Sequence, residues 1–299
     1  MLEFKKITPQ QNILFKKYYH EKLSRNAENS FANLCCYSFL YNGEYCELDG
    51  DTLLTRIHLE YEKCILYYMP LGKQKLKDIY PLLVDDAKEN NYKLAIATDS
   101  YDCIKECTCD RCEITANRNM FDYLYLRADL MMLKGKKYQP KRNHINQFNS
   151  RYEYEFRSLT KADKTACLDL LQTWRIQEMT ISPEYKSDYD DEKHVIEYLF
   201  DWFDELEIYG GAIYVAGKMV AFSLGSPINK DTFDTHIEKA DRNYAGAYTV
   251  INKEMAVNIP QNFIYINREE DKGIMGLRQA KLSYHPYLLI EKYICTLKY

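Results

Sequence analysis

Apolar and polar positions along this chain alternate with two periods, and the order in which the two periods occur is repeated. Residues 12–23 (NILFKKYYHEKL) carry apolar side chains at helical spacing, with Thr8 and Pro9 as a start signal. Three strand-like runs follow, YCEL, TLLTRIHL and KCILYYMPL, the first two joined through Asp49-Gly50-Asp51, which predicts an antiparallel meander. Residues 75–89 then predict an amphipathic helix, 93–98 a buried strand and 99–106 a short helix. Residues 134–152 are polar and basic, punctuated by Gly135 and Pro140, and are expected to connect two halves. Beyond them the pattern predicts a strand at 154–158, a helix from Thr160 to about 178, and a helix at 193–205. Three strands at 210–240 turn at Ala216-Gly217-Lys218 and Asn229-Lys230-Asp231. A helix at 244–258, a strand at 263–267, a helix at 275–282 and a strand at 287–296 close the chain. The expected class is therefore α/β, in two similar units: 1–133 and 153–299, linked by 134–152.

Composition narrows the setting. No run reaches the roughly 18–20 uncharged apolar residues that a spanning helix needs, and MLEFKKITPQQ has no apolar core behind its lysines. A cytoplasmic protein is the expectation. The ten cysteines fit it as mostly buried thiols, since Cys35, Cys36, Cys64, Cys167 and Cys295 sit among apolar neighbours. The four thiolates of Cys103, Cys107, Cys109 and Cys112 could bind zinc, but they crowd into one run rather than two separated knuckles, so a metal site is the alternative and none is the expectation. A formal net charge of −4 argues against a general nucleic-acid coat, but the charge is uneven. Residues 134–144 hold five Lys or Arg and no acid, whereas 184–207 hold ten acids against Lys186 and Lys193. Lys137, Arg142 and their neighbours, interleaved with Tyr138 and His144, have the chemistry to grip an RNA backbone. A solvated polar linker is the alternative reading.

The chemistry concentrates at 232–257. Asp241-Arg242-Asn243-Tyr244-Ala245-Gly246-Ala247 joins a strand to a helix, and its small residues with the first helical amides suit a phosphate; Arg242 would add a bidentate cation. Ordinary helix capping explains the same residues. His236 and Glu238 lie two apart on a strand, and Glu238, just ahead of the turn, is placed as a general base for an amine nucleophile. Glu269, Glu270 and Asp271 follow a buried strand, where Glu269 is a second candidate base and Asp271 a binder of an acceptor amine. Arg278 and Lys281 lie three apart on the next helix, with Tyr284 close behind.

A meander feeding an Arg-x-x-Ala-x-Ala turn and a helix resembles the GNAT (N-acetyltransferase) fold, whose pyrophosphate loop Arg242, Ala245, Gly246 and Ala247 would match, with Ala245 in place of the first glycine. Longer phrases, FDYLYLRADL with LKGKKYQPKRNHINQF, HIEKAD, and INREEDKGIMGLRQAKLSYHP, resemble the phosphatidylglycerol lysyltransferase C-terminal-domain-like family. That resemblance implies two tandem GNAT-like units, each a mixed, mostly antiparallel sheet flanked by helices, as in the Fem aminoacyltransferases. It implies an acyl donor that is either aminoacyl-tRNA, held in part by 134–144, or acyl-CoA. It also implies a small-molecule or peptide amine, or a hydroxyl, as acceptor, and Tyr284 as proton donor to the leaving group. The competing expectations are acetyl-CoA-dependent N-acetylation and a non-catalytic binding module on the same scaffold.

Overall fold

The computed structural model describes residues 2–19, 24–107, 112–181 and 189–297. In chain order its first elements are β1 (Lys5–Lys6), α1 (Asn12–Tyr19), α2 (Phe31–Cys36), α3 (Ser38–Tyr41), β2 (Glu44–Leu48), β3 (Thr52–Leu59), β4 (Cys64–Tyr68), β5 (Leu71–Gly72), α4 (Leu76–Glu89), β6 (Lys93–Thr98), α5 (Tyr101–Cys107) and β7 (Cys112–Ala116). Then come β8 (Asp122–Leu126), α6 (Arg127–Met132), α7 (Gln139–Arg151), β9 (Tyr154–Ser158), α8 (Lys164–Ile181), α9 (Tyr189–Asp201), β10 (Tyr209–Val215), β11 (Lys218–Pro227) and β12 (Thr232–Ala240). The last are α10 (Ala247–Asn258), β13 (Tyr265–Asn267), α11 (Met275–Leu282), β14 (Leu288–Ile290) and β15 (Tyr293–Leu297).

These elements form two compact units that interleave along the chain. One comprises Met1–Asp122, Glu270–Arg278 and Leu289–Tyr299; the other comprises Tyr123–Glu269 and Gln279–Leu288. Each holds one mixed sheet. In the first the order is β1-β2-β3-β4-β6-β15-β7, with β5 on β3. The meander β2-β3-β4 is antiparallel, β4 and β6 are parallel, and α4 makes the crossover between them. The apolar stripe of α4 (Leu76, Ile79, Leu83, Ala87) packs with Leu54, Ile65, Tyr67 and Ile96 of that sheet.

The second sheet repeats the plan, in the order β14-β8-β13-β12-β11-β10-β9. Its meander β10-β11-β12 is antiparallel, β12 and β13 are parallel, and α10 makes the crossover. Ala216 and Gly217 both take positive φ, as a two-residue hairpin loop demands. Helix α8 packs on β11 and β12, while α10 packs on β10, β11, β12, α6 and α7. The C-terminus of α10 is closed by Arg127, whose buried guanidinium donates to the carbonyls of Ala256 (2.7 Å), Val257 (3.1 Å), Ile259 (2.8 Å), Pro260 (2.7 Å) and Phe263 (3.4 Å).

Four expectations are corrected. The segment 134–152 is not an irregular connection, because α7 occupies most of it and belongs to the second unit. Pro140 stands in its first turn, where a missing N–H costs nothing, and Tyr138, Ile145 and Phe148 are its buried anchors. The closing strand at 287–296 is two strands, β14 in the second sheet and β15 in the first, paired with β6 and β7. The first unit consequently does not end near 133, since its sheet is completed by the end of the chain. The helix expected at 193–205 runs from Tyr189 to Asp201.

Candidate functional site

The parallel pairing of β12 with β13 is short: Thr232, Phe233 and Asp234 face Tyr265, Ile266 and Asn267. Strand β12 continues to Ala240, whereas β13 ends at Asn267, so the two part beyond Asp234. A register shift opposite Leu224 and Gly225 adds to this by leaving His236 as an extra residue on β12. Such a bulge bends a strand and re-aims its side chains. Gly225 is needed at the bulge, since a Cβ there would lie 2.1 Å from the Asp234 carbonyl oxygen.

Glu238 and Arg268 meet where the strands part. Glu238 Oε1 accepts from Arg268 Nη2 at 2.8 Å, and its Oε2 accepts from Asn252 Nδ2 of α10 at 3.2 Å. Glu238 also faces Ser223 across the β11–β12 ladder. Three buried atoms around this carboxylate, Arg268 Nη1, Asn252 Oδ1 and Ser223 Oγ, have no hydrogen-bond partner among the described residues. Leaving a buried polar atom unpaired costs about 1–3 kcal/mol, so each of the three would be stabilised by a polar partner from outside the chain.

Aromatic rings line the same cluster. Arg268 lies 5.0 Å from the ring centre of Tyr284 and 5.7 Å from that of Tyr125. The ammonium nitrogen of Lys141, on α7, stands 3.8 Å over the Tyr284 ring. Burial pushes the Tyr284 hydroxyl up to about 12, against the opposing pull of Arg268, so it keeps its proton at neutral pH. Burial, with repulsion from Arg268, brings Lys141 down to about 8, although Glu238 pulls the other way. The Tyr138 hydroxyl donates to the Tyr284 carbonyl at 3.1 Å and thereby ties α7 to this tyrosine.

A second cluster surrounds His236. Its Nε2 is 2.8 Å from Ser226 Oγ, and its Nδ1 is 3.4 Å from Glu269 Oε1 and 3.5 Å from Asp234 Oδ2. Glu269 is turned there by a left-handed backbone (φ 55°), and its amide donates to Asn267 Oδ1 at 2.7 Å. The ligand atoms of Asp234, His236 and Glu269 lie within 4.8 Å of one another, a donor set that could hold a metal ion.

The structure gives other expected site residues different tasks. Arg242 is paired with Glu178, and its backbone amide donates to Gln177, both on α8. Gly246 is required by φ 97° and by α7, because a Cβ there would lie 2.6 Å from the His144 carbonyl oxygen. The bare side of that glycine thus faces protein. Ala245 is exposed in the turn and Ala247 is buried at the start of α10. Lys281 is buried and donates to the carbonyls of Arg268 (2.6 Å) and Glu269 (3.1 Å), so it shapes the segment after β13. In the first unit Asp271 and Arg278 satisfy each other in a bidentate pair (2.9 and 2.7 Å), with Arg118 also on Asp271 at 3.3 Å. Glu270 is 3.8 Å from the buried Lys292. The three adjacent acids therefore do not act as a group; Glu269 faces His236, Glu270 faces Lys292, and Asp271 faces Arg278 and Arg118. Arg142 donates to the Leu133 carbonyl and, at 2.8 Å, to that of Gly135, which removes it from any exposed basic stripe. Lys137 is 4.0 Å from Asp129. Of the crowded cysteines, Cys109 and the side chain of Cys107 lie outside the described residues; Cys103 is exposed, and Cys112 lies 3.5 Å from the Tyr80 hydroxyl.

Sequence reasoning passed over Arg268, Asn252, Ser223, Tyr125 and Lys141, of which Arg268 and Lys141 carry the charge. Arg268 stands next to the acids that drew attention, and Lys141 sits in the basic run. Its signal is the spacing from Tyr138, which puts both on one face of a helix.

A meander, a parallel pair that parts around charged residues and a crossover helix, in tandem with a second sheet of the same order, define the class: a tandem GNAT-like fold. The family model described as phosphatidylglycerol lysyltransferase, C-terminal, matches residues 20–296, and the chain belongs to that family. Among solved structures, a conserved protein of unknown function from Bacteroides thetaiotaomicron is 38% identical over 100% of both chains, with a TM-score of 0.92. The structure of L-PGS from Bacillus licheniformis aligns at 14% identity over 98% of this chain and 93% of that one (TM-score 0.64). FemX aligns at 8% identity over 98% and 97% (TM-score 0.63). An uncharacterised protein of Mycoplasmoides gallisepticum is 25% identical over 173 residues, 58% of this chain and 55% of that protein, so the match spans about half the length of this curated relative. Among the described residues no helix is long and apolar enough to cross a membrane.

Proposed function

We propose that the chain transfers an aminoacyl group from aminoacyl-tRNA to an amine or hydroxyl acceptor in the opening between β12 and β13. The carrying observation is that Glu238 gathers Arg268, Asn252 and Ser223, each with one buried polar atom unpaired, where the parallel strands part. Such atoms can take the acyl carbonyl and the acceptor without reorganising, which is how preorganised dipoles lower a barrier. Glu238 fixes Arg268, and Tyr284 offers a protonated hydroxyl to the leaving oxygen. Aminoacyl-tRNA is favoured over CoA as donor because Arg242 is engaged by Glu178 and Gly246 is covered by α7.

The test is to incubate the full chain with tRNA charged with radiolabelled amino acids, and separately with acyl-CoAs, over a mixture of amine and hydroxyl acceptors. Transfer from charged tRNA is expected, falling about 100-fold or more in Arg268→Met and Glu238→Gln. Transfer from acyl-CoA alone would replace this reading with N-acetylation. Absence of transfer from either, with tRNA still bound, would make the chain a binding module.

A further inference from the structure

We propose that Lys141 is the proton acceptor of this site, taking the proton of the acceptor's amine or hydroxyl as it attacks the acyl carbonyl carbon. The inference rests on the transferase reading and supplies the base that it needs. Glu238 is poorly suited to that task, since one of its oxygens is held by Arg268 and the other by Asn252. Lys141 is differently placed. Its nitrogen has no ion pair or hydrogen bond among the described residues, only the Tyr284 ring 3.8 Å below it. The buried anchors Tyr138 and Phe148, three residues before it and a further two turns on, fix its helix against the site.

The charged groups that face it are few. Arg268, beyond β13, shares the Tyr284 ring and repels an ammonium; Glu238, on β12, attracts one. Tyr284 stays neutral. From α10, which also packs on α7, Tyr248 stays protonated through burial, and Glu254 is bonded to the Tyr154 hydroxyl at 2.8 Å. Burial and Arg268 prevail, and Lys141 titrates at about 8, close to the working pH at which a general base is most effective.

The step balances without a further reagent. The acceptor's nitrogen or oxygen bonds to the carbonyl carbon while its proton passes to the lone pair of Lys141 Nζ. The bond from that carbon to the ester oxygen of the donor then breaks, and the leaving oxygen, which accepts a hydrogen bond from the Tyr284 hydroxyl, takes the proton from Lys141 while Tyr284 keeps its own. The products are the new amide or ester and the freed donor hydroxyl, with Lys141 neutral again.

Two measurements test this. In transfer from charged tRNA, the wild-type rate should rise with pH to a plateau with a midpoint near 8. Lys141→Met should lower the plateau about 100-fold and abolish that limb, and added methylamine or ethylamine should restore turnover in order of basicity; Lys141→Arg should not. Turnover of Lys141→Met at the wild-type rate with the same limb overturns the proposal and leaves the transferase reading intact. Failure of the wild type to transfer from any charged tRNA overturns both. Competitive acetylation of the wild type with acetic anhydride, read residue by residue by mass spectrometry, holds even if the variants do not fold. A Lys141 midpoint near 8 supports its role, and one near that of exposed lysines overturns it.

Discussion

Replacing Arg127 by Met should unfold the second unit more readily than any single change at its surface. The guanidinium spreads over five carbonyls at the end of α10 and in the segment after it, at 2.7 to 3.4 Å, and only 7% of the residue is exposed. A hydrogen bond to a charged group contributes about 1.5–3 kcal/mol, and a buried carbonyl left without a donor costs about 1–3 kcal/mol. Some of the five would be rehydrated, so the net loss should be about 3–5 kcal/mol rather than the sum. At about 2–4 °C per kcal/mol for a unit of this size, the midpoint should fall by roughly 10 °C. Urea unfolding monitored by fluorescence and circular dichroism measures the loss directly. Lys in place of Arg has three donors on a single point and should recover less than half of it. A Met variant within about 1 kcal/mol of wild type, with an unchanged m-value, would refute the claim that this side chain closes the helix.

Other perturbations follow from the same geometry. Gly246→Ala forces a Cβ against the His144 carbonyl at positive φ and should cost about 2 kcal/mol in urea; hydrogen exchange in α7 would rise, and unchanged protection there would argue against the packing. Arg278→Met removes the bidentate partner of the fully buried Asp271, which keeps Arg118 at 3.3 Å, and should destabilise the first unit by about 3 kcal/mol, whereas adding Asp271→Asn should recover part of that loss; strict additivity would show that the two do not act as a pair. Lys141 also gives a pH signature. Its folded value, about 8, lies below that of a lysine in the unfolded chain, about 10.4, so between these the unfolded state holds the extra proton. Stability should therefore rise with pH across that window relative to Lys141→Met, and parallel pH profiles for the two proteins would count against the shift.

Where the period of apolar residues was strong, the elements were legible. The β10-β11-β12 meander, its Ala216-Gly217 turn and the 275–282 helix all lie where alternation and spacing put them. Helix α7 was not legible because only Tyr138, Ile145 and Phe148 face inward among Lys, Arg, Asn and Gln, too few to show a stripe. Strand β8 was hidden in an apolar run whose partners, β13 and β14, lie far along the chain. In the site, Glu238, His236, Glu269 and Tyr284 could be picked from sequence, but their pairings could not. Which cation answers which acid depends on the bulge at His236 and on the turned backbone of Glu269, neither of which leaves a pattern in composition.

The placement of β8 and β15 has a consequence for any attempt to divide this protein. The first half of the chain donates β8 to the second sheet, and the last residues return β15 to the first. No single cut can therefore release either unit whole. A fragment stopping near 133 would leave the facing edges of β6 and β7 unpaired, open to aggregation. A fragment starting near 153 would lack both β8, between β13 and β14, and the lysine-bearing α7. Isolated halves should behave as incomplete molecules, and only complementation by both pieces, each lending its strand to the other, should restore two closed sheets.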